Sequence, residues 1–218
     1  PFDNGINRYP DNKHTELKKV VSDIKNVNIN QVIFGNGTDE IFDLIVRVFC
    51  NPYKDKIITL PPTYGMYDVI AKTNGVENIE IPLKSDFSID KNEILKSCTT
   101  STKVLFLCSP NNPTGNSFDT NNLTDLIKSF KGIVVVDEAY IDFSSKQSLI
   151  SLIEDNNNLI ITQTMSKAYG MAGIRLGMGF SNEKIINYLN KIKPPYNINV
   201  LTERKALLEL NKIDEIEK

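Results

Sequence analysis

Lys167 stands in the run Thr164 to Gly177 among small and apolar residues. Hydroxyls precede it at Thr164 and Ser166, and a guanidinium follows eight residues on at Arg175. A lysine amine must lose its proton before it attacks a carbonyl, and desolvation and a neighbouring cation both favour that loss. Hydroxyls and an arginine are also groups that hold a phosphate. Together they point to a lysine that forms a Schiff base with a phosphorylated aldehyde, pyridoxal 5'-phosphate (PLP). A lone lysine reads more simply as part of a surface loop, and four further motifs reverse that reading.

The first is Phe34 to Glu40, with glycines at Gly35 and Gly37. Glycine lets backbone approach a ligand closely, and Thr38 and Asp39 would open a helix whose N–H groups suit an anion. The run is neither a Walker A loop nor GxGxxG, and a glycine turn with a Thr N-cap is the bland alternative. The second is Leu60 to Tyr67, where two prolines direct the chain and Tyr64 is placed to stack on a flat heteroaromatic ring, or simply to pack under a loop. The third is Ser109 to Gly115, where an Asn112-Pro113 bond is able to be cis and Asn112 offers an amide to a ring oxygen; a polar turn is the alternative. The fourth is Val134 to Tyr140. Asp137 there is suited to pair with a protonated pyridine nitrogen, which keeps such a ring electron-withdrawing, and Tyr140 to bond the ring's phenolic oxygen. A helix N-cap or a metal-binding acid are the competing readings for Asp137, and no Walker A loop accompanies it. Each motif is weak alone. Their order and types fit one ligand with a phosphate, a flat basic ring and an aldehyde.

The elements that must position these residues follow from hydrophobic periodicity. Short apolar, β-branched runs at Gln31–Phe34, Lys56–Leu60, Lys103–Cys108, Ile133–Val136, Leu159–Thr162 and Gly177–Phe180 alternate with helix-period segments. The predicted helices lie near Thr15–Lys25, Asp39–Phe49, Tyr64–Lys72, Lys91–Lys96, Leu123–Phe130 and Glu183–Lys191. That alternation predicts an α/β fold, a mostly parallel central sheet with helices on both faces. Ligands bind such sheets beyond the carboxyl ends of their strands, where the motifs fall. The chain has 218 residues and a formal net charge of -2 with both signs dispersed, which points to no nucleic-acid partner. Cys50, Cys98 and Cys108 show no CxxC spacing and His14 is the one histidine, so neither a disulfide framework nor a metal site is expected. A reducing, cytoplasmic compartment fits, with no membrane-spanning run and no signal peptide visible.

The strings NRYPD (7–11), PPTYGMY (61–67), SPNNPTG (109–115), VVDEAYIDF (135–143) and SKAYGMAGIRLG (166–177) make the chain resemble the fold-type I, PLP-dependent aminotransferases. Within them it is most similar to the histidinol-phosphate aminotransferase family. SPNNPTG with SKA…GIRLG carries the wider resemblance, and PPTYGMY with DEAYIDF narrows it. The resemblance implies that Lys167 holds the cofactor and shuttles a proton, that Asp137 pairs with the ring nitrogen, and that Asn112 and Tyr140 bond the ring oxygen. It implies Tyr64 stacking on the ring, and a phosphate held by backbone at Thr38 and Asp39 with the side chains of Thr164, Ser166 and Arg175. Tyr9 would reach the phosphate of the neighbouring subunit, which implies a homodimer with shared sites. The implied reaction passes an amino group between glutamate and imidazole-acetol phosphate, yielding histidinol phosphate in histidine biosynthesis. An aromatic aminotransferase or a phosphothreonine decarboxylase is the alternative on the same scaffold. A non-catalytic PLP-fold domain is disfavoured by the presence of Lys167 and Asp137.

Domain boundaries are read as an N-terminal arm at residues 1–12, a PLP-binding large domain at 13–196, and a helix at 197–218 leading toward a small domain. The chain starts at Pro1 and ends within a charged segment, so it is expected to be part of a longer protein. The arginine that binds the substrate carboxylate in the family is expected beyond Lys218, since Arg204 does not match it.

Overall fold

The six predicted apolar runs all become strands of one seven-stranded sheet in the computed structural model, which describes residues 6–211. The strands are β1 (Val32–Asn36), β2 (Lys56–Thr59), β3 (Glu77–Glu80), β4 (Thr102–Cys108), β5 (Ile133–Asp137), β6 (Leu159–Thr164) and β7 (Leu176–Ser181). Their order is β1-β7-β6-β5-β4-β2-β3. Neighbours from β6 to β3 pair in parallel, and β7 runs antiparallel to both β6 and β1. The mostly parallel α/β sheet is therefore as predicted. β3 was not among the predicted strands: its Glu-Asn-Ile-Glu sequence lies at the sheet edge, where its residues are exposed or half-buried and no apolar alternation is required. The first five residues of the predicted arm and residues 212–218 of the predicted last helix lie outside the described residues.

The helices are α1 (Thr15–Lys25), α2 (Thr38–Phe49), α3 (Met66–Thr73), α4 (Lys91–Ser97), α5 (Thr120–Ser129), α6 (Glu183–Ile192) and α7 (Val200–Leu210). α3 starts at Met66 rather than at Tyr64. Asn111 ties down the preceding loop, donating from Nδ2 to the Pro62 carbonyl (2.9 Å) and accepting at Oδ1 from Thr63 (2.9 Å). α5 starts earlier than predicted because Asp119 caps it, accepting from the Asn122 amide at 2.9 Å.

Side-chain alternation along the buried strands makes two cores, one on each face. Leu105, Leu107, Val134, Val136 and Ile161 face a cluster that includes Leu17 of α1, Leu126 of α5 and Ala206 of α7. Val104, Phe106, Val135 and Ile160 face Ile41, Phe42 and Ile45 of α2, Ile70 of α3 and Ile186 of α6. α7 is joined to this body. Thr202 Oγ1 donates to the Ile174 carbonyl (2.8 Å), and just before the helix Asn197 Nδ2 donates to the Phe34 carbonyl (3.0 Å). No helix among the described residues is long and apolar enough to cross a membrane.

Candidate active site

The carboxyl ends of β1, β4, β5 and β6 converge on a cavity of about 170 Å³. Around it stand Thr38, Asp39, Tyr64, Asn112, Asp137, Tyr140, Thr164, Ser166, Lys167 and Arg175. Ten of the eleven site residues singled out in the sequence are thus brought together. The eleventh, Tyr9, is not part of that wall. Its side chain is 79% exposed and stacks on Tyr196 with ring centroids 4.4 Å apart.

Asp137 closes β5 and is 3% exposed. Parallel register sets it beside Cys108 of β4 and Thr162 of β6. Thr162 Oγ1 donates to Asp137 Oδ1 (3.1 Å), the Ala139 amide donates to the same oxygen (3.2 Å), and Tyr67 Oη donates to Oδ2 (2.7 Å). Burial pushes the carboxyl up to about 6, and these donors offset part of that shift. A carboxylate has roughly four acceptor positions, so one on Oδ2 is left for a donor in the cavity. A cationic N–H, such as that of a protonated pyridine ring, matches it in charge and polarity. Burial and then Asp137 push the Cys108 thiol up to about 12, which leaves it a neutral wall of the cavity.

Lys167 lies in the loop that leaves β6. The loop is closed by Met171 N–H to the Met165 carbonyl (3.0 Å) and Gly170 N–H to the Lys167 carbonyl (2.9 Å), with Met165 fully buried as its anchor. Lys167 Nζ sits 5.3 Å from the centroid of the Tyr140 ring. Tyr140 Oη accepts from Asn112 Nδ2 at 3.4 Å, so the two groups expected to share a ring oxygen are already neighbours. The loop carrying Asn112 contains cis bonds at Ser109-Pro110 and Asn112-Pro113, and the loop before Tyr64 has one at Pro61-Pro62.

The anion end of the cavity is built on glycine. α2 opens at Gly37 (φ 78°) without a side-chain cap, and the Gly37 amide donates to the Arg175 carbonyl at 2.7 Å. A Cβ on Gly37 would meet Arg175 Nη2 at 2.5 Å, so the guanidinium rests directly against the helix opening. Arg175 itself has left-handed backbone (φ 55°) after the 3-10 turn Ala172–Ile174. Thr164 Oγ1 donates to Ser166 Oγ at 3.0 Å, which holds both hydroxyls at the same wall. Helix opening, cation and paired hydroxyls form a cradle that fits a phosphate.

Sequence reasoning assigned Asp39 through its backbone and left its side chain without a task. The Asp39 carboxylate accepts from Tyr64 Oη at 3.1 Å and lies 3.9 Å from Arg175 Nη2, bridging the ring wall to the cradle. Burial first, and then Asp39, push the Tyr64 phenol up to about 12, so it stays a donor. Tyr67 and Thr162 were missed altogether. Tyr67 reads in the sequence as an apolar-face residue of a helix, and it does pack as one, stacked on Phe106 at 4.8 Å. Only its spacing from Tyr64, three residues on and hence one helical turn away, hinted that both face the same place.

Residues 3–217 match the aminotransferase class I and II family. A histidinol-phosphate aminotransferase of Flavobacterium johnsoniae is 53% identical over 216 residues, which are 99% of this chain and 62% of that protein. The chain thus spans a little over three fifths of the length of such relatives. The crystal structure of the histidinol-phosphate aminotransferase from Clostridium acetobutylicum superposes with a TM-score of 0.87 at 27% identity, over 97% of this chain and 64% of that one. That from Sinorhizobium meliloti, in complex with pyridoxal-5'-phosphate, shares the fold with a TM-score of 0.89 at 22% identity, over 96% of this chain and 58% of that one. A lysine, a buried acid and an anion cradle at the carboxyl ends of one mostly parallel sheet, in a chain matched almost from end to end, make this protein a member of the aminotransferase class I and II family.

Proposed function

We propose that the protein is a PLP-dependent transaminase that interconverts histidinol phosphate and imidazole-acetol phosphate, with glutamate and 2-oxoglutarate as the other pair, in histidine biosynthesis. The observation that carries this reading is the single cavity onto which Lys167, Asp137 and Arg175 converge. Identity of 53% to a histidinol-phosphate aminotransferase supports the choice of substrate. We place it in the cytoplasm as a homodimer, with Tyr9 offered to the partner's site.

Bound in the cavity, PLP supplies a protonated ring that draws in the negative charge left when a substrate α-carbon loses its proton. Asp137 Oδ2 holds the proton on the ring nitrogen. Lys167 Nζ is the amine that would meet the cofactor's carbonyl carbon, and it would carry a proton between the substrate α-carbon and that carbonyl carbon, which lie on either side of the transferred nitrogen. Asn112 Nδ2 and Tyr140 Oη orient the ring oxygen, and the Tyr64 ring covers a face. The Thr38 and Asp39 amides, the Thr164 and Ser166 hydroxyls and Arg175 take the phosphate.

The test is an assay of the whole protein with histidinol phosphate and 2-oxoglutarate. Glutamate formation dependent on PLP is expected. Release of CO2 from phosphothreonine without glutamate formation overturns the reading.

A further inference from the structure

We propose that Tyr67 and Thr162 are positioning residues that clamp the Asp137 carboxylate, leaving one acceptor position on Oδ2 for a cationic N–H in the cavity. The inference rests on the proposed PLP chemistry and goes beyond it by naming what aims the acid.

The geometry is specific to each oxygen. Oδ1 is filled by Thr162 Oγ1 and the Ala139 amide, both set by the register of β5 and β6. Oδ2 receives Tyr67 Oη alone, at 2.7 Å. Tyr67 cannot turn away, because its fully buried ring stacks on Phe106 with planes 13° apart and meets Phe42 edge-on at 5.2 Å. Burial and the nearby Asp137 raise its phenol well above the ordinary value, so it stays protonated and keeps its hydrogen to donate. A donor fixed to each oxygen holds the carboxyl plane and favours its ionised form against the cost of burial. Other titratable groups around Asp137 are Cys108 of β4, Asp39 of α2, and Tyr64, Tyr140, Lys167 and Arg175 across the cavity. Asp39 pushes the carboxyl up, as burial does. Tyr67 and Thr162 supply the side-chain hydrogen bonds that act the other way.

The test uses the whole protein with Tyr67→Phe and Thr162→Val, each alone and combined with Asp137→Asn. PLP dissociation constants come from equilibrium dialysis. The titration of Asp137 in the PLP-free protein comes from the infrared band of the protonated carboxyl that Asp137→Asn removes. Tyr67→Phe is expected to weaken PLP binding about tenfold and to raise the carboxyl midpoint by about one pH unit, as loss of one charged hydrogen bond implies. In the Asp137→Asn background Tyr67→Phe is expected to change binding less than about twofold, because the coupling has been removed. An equal loss in both backgrounds, or an unmoved carboxyl midpoint, overturns the inference and leaves Tyr67 a packing residue. Should Tyr67→Phe fail to fold, Thr162→Val decides by the same two readouts at the other oxygen. Failure of the unmutated protein to take PLP overturns the functional reading instead, and the infrared midpoints then decide the role of Tyr67 alone.

Discussion

Gly177→Ala tests how closely β7 must approach the helix opening. Gly177 pairs with Gly35 across β1 and β7, which lays its Cα against the turn at Gly37. A Cβ there would stand 2.7 Å from the Gly37 carbonyl oxygen, and closer still to the Gly37 carbonyl carbon and the Thr38 nitrogen. Ordinary contact begins at 3.4 Å, and the atoms in the way are backbone, so no side chain can swing aside. The turn has to retreat from β7, and the Gly37 hydrogen bond to the Arg175 carbonyl goes with it. Overpacking of this kind costs about 1–3 kcal/mol. A retreat that also removes one charge-assisted contact to phosphate weakens PLP binding by about tenfold or more. Urea unfolding of the PLP-free protein and PLP equilibrium dialysis read the two effects separately. Gly65→Ala is the control: its φ of -68° and ψ of -17° are helical, and no atom lies within 4 Å of the added carbon. It is expected to be neutral or to stabilise by up to about 1 kcal/mol. A Gly177→Ala protein with unchanged unfolding midpoint and unchanged PLP affinity refutes the packing argument.

Three further outcomes are expected. Lys167→Ala abolishes transamination, measured as glutamate formation, because no other lysine among the described residues lines the cavity; turnover near that of the unmutated protein contradicts it. Tyr64→Phe keeps a ring over the site and loses only the hydrogen bond to Asp39, whereas Tyr64→Ala weakens PLP binding further; equal affinities in dialysis would show that no ring stacks there. Asp137→Asn removes a pH dependence from the stability of the PLP-free protein. The folded carboxyl titrates at about 6 against 3.8 for the ordinary group, so the folded chain holds the extra proton between those values. Stability from this group therefore falls as pH rises through that window, by roughly 3 kcal/mol in all. The unfolding free energy at about pH 4 minus that at about pH 8, read from urea titrations, should be lower in Asp137→Asn than in the unmutated protein, and an unchanged difference would contradict the assigned shift.

The central strands and the six predicted helices were legible because burial on both faces of a parallel sheet imposes continuous apolar runs, as in Val134 to Val136. β3 was not, since an edge strand that stays partly exposed needs no such pattern. The site residues that line the cavity were readable from local strings, each at a strand end. What the sequence could not display were contacts between distant segments. Tyr67 and Asp137 are seventy positions apart, and their hydrogen bond exists only because α3 and β5 pack across the same sheet face. The left-handed backbone of Arg175 and the bridging carboxylate of Asp39 are likewise products of tertiary placement, with no signature in residue type.

Borohydride reduction of the whole protein incubated with PLP, followed by peptide mass mapping, tests the central claim most directly. A reduced pyridoxyl group on Lys167 is the expected result. A folded protein in which Lys167 stays unmodified, or in which the group is found on a different lysine, contradicts the assignment of this cavity as the PLP site.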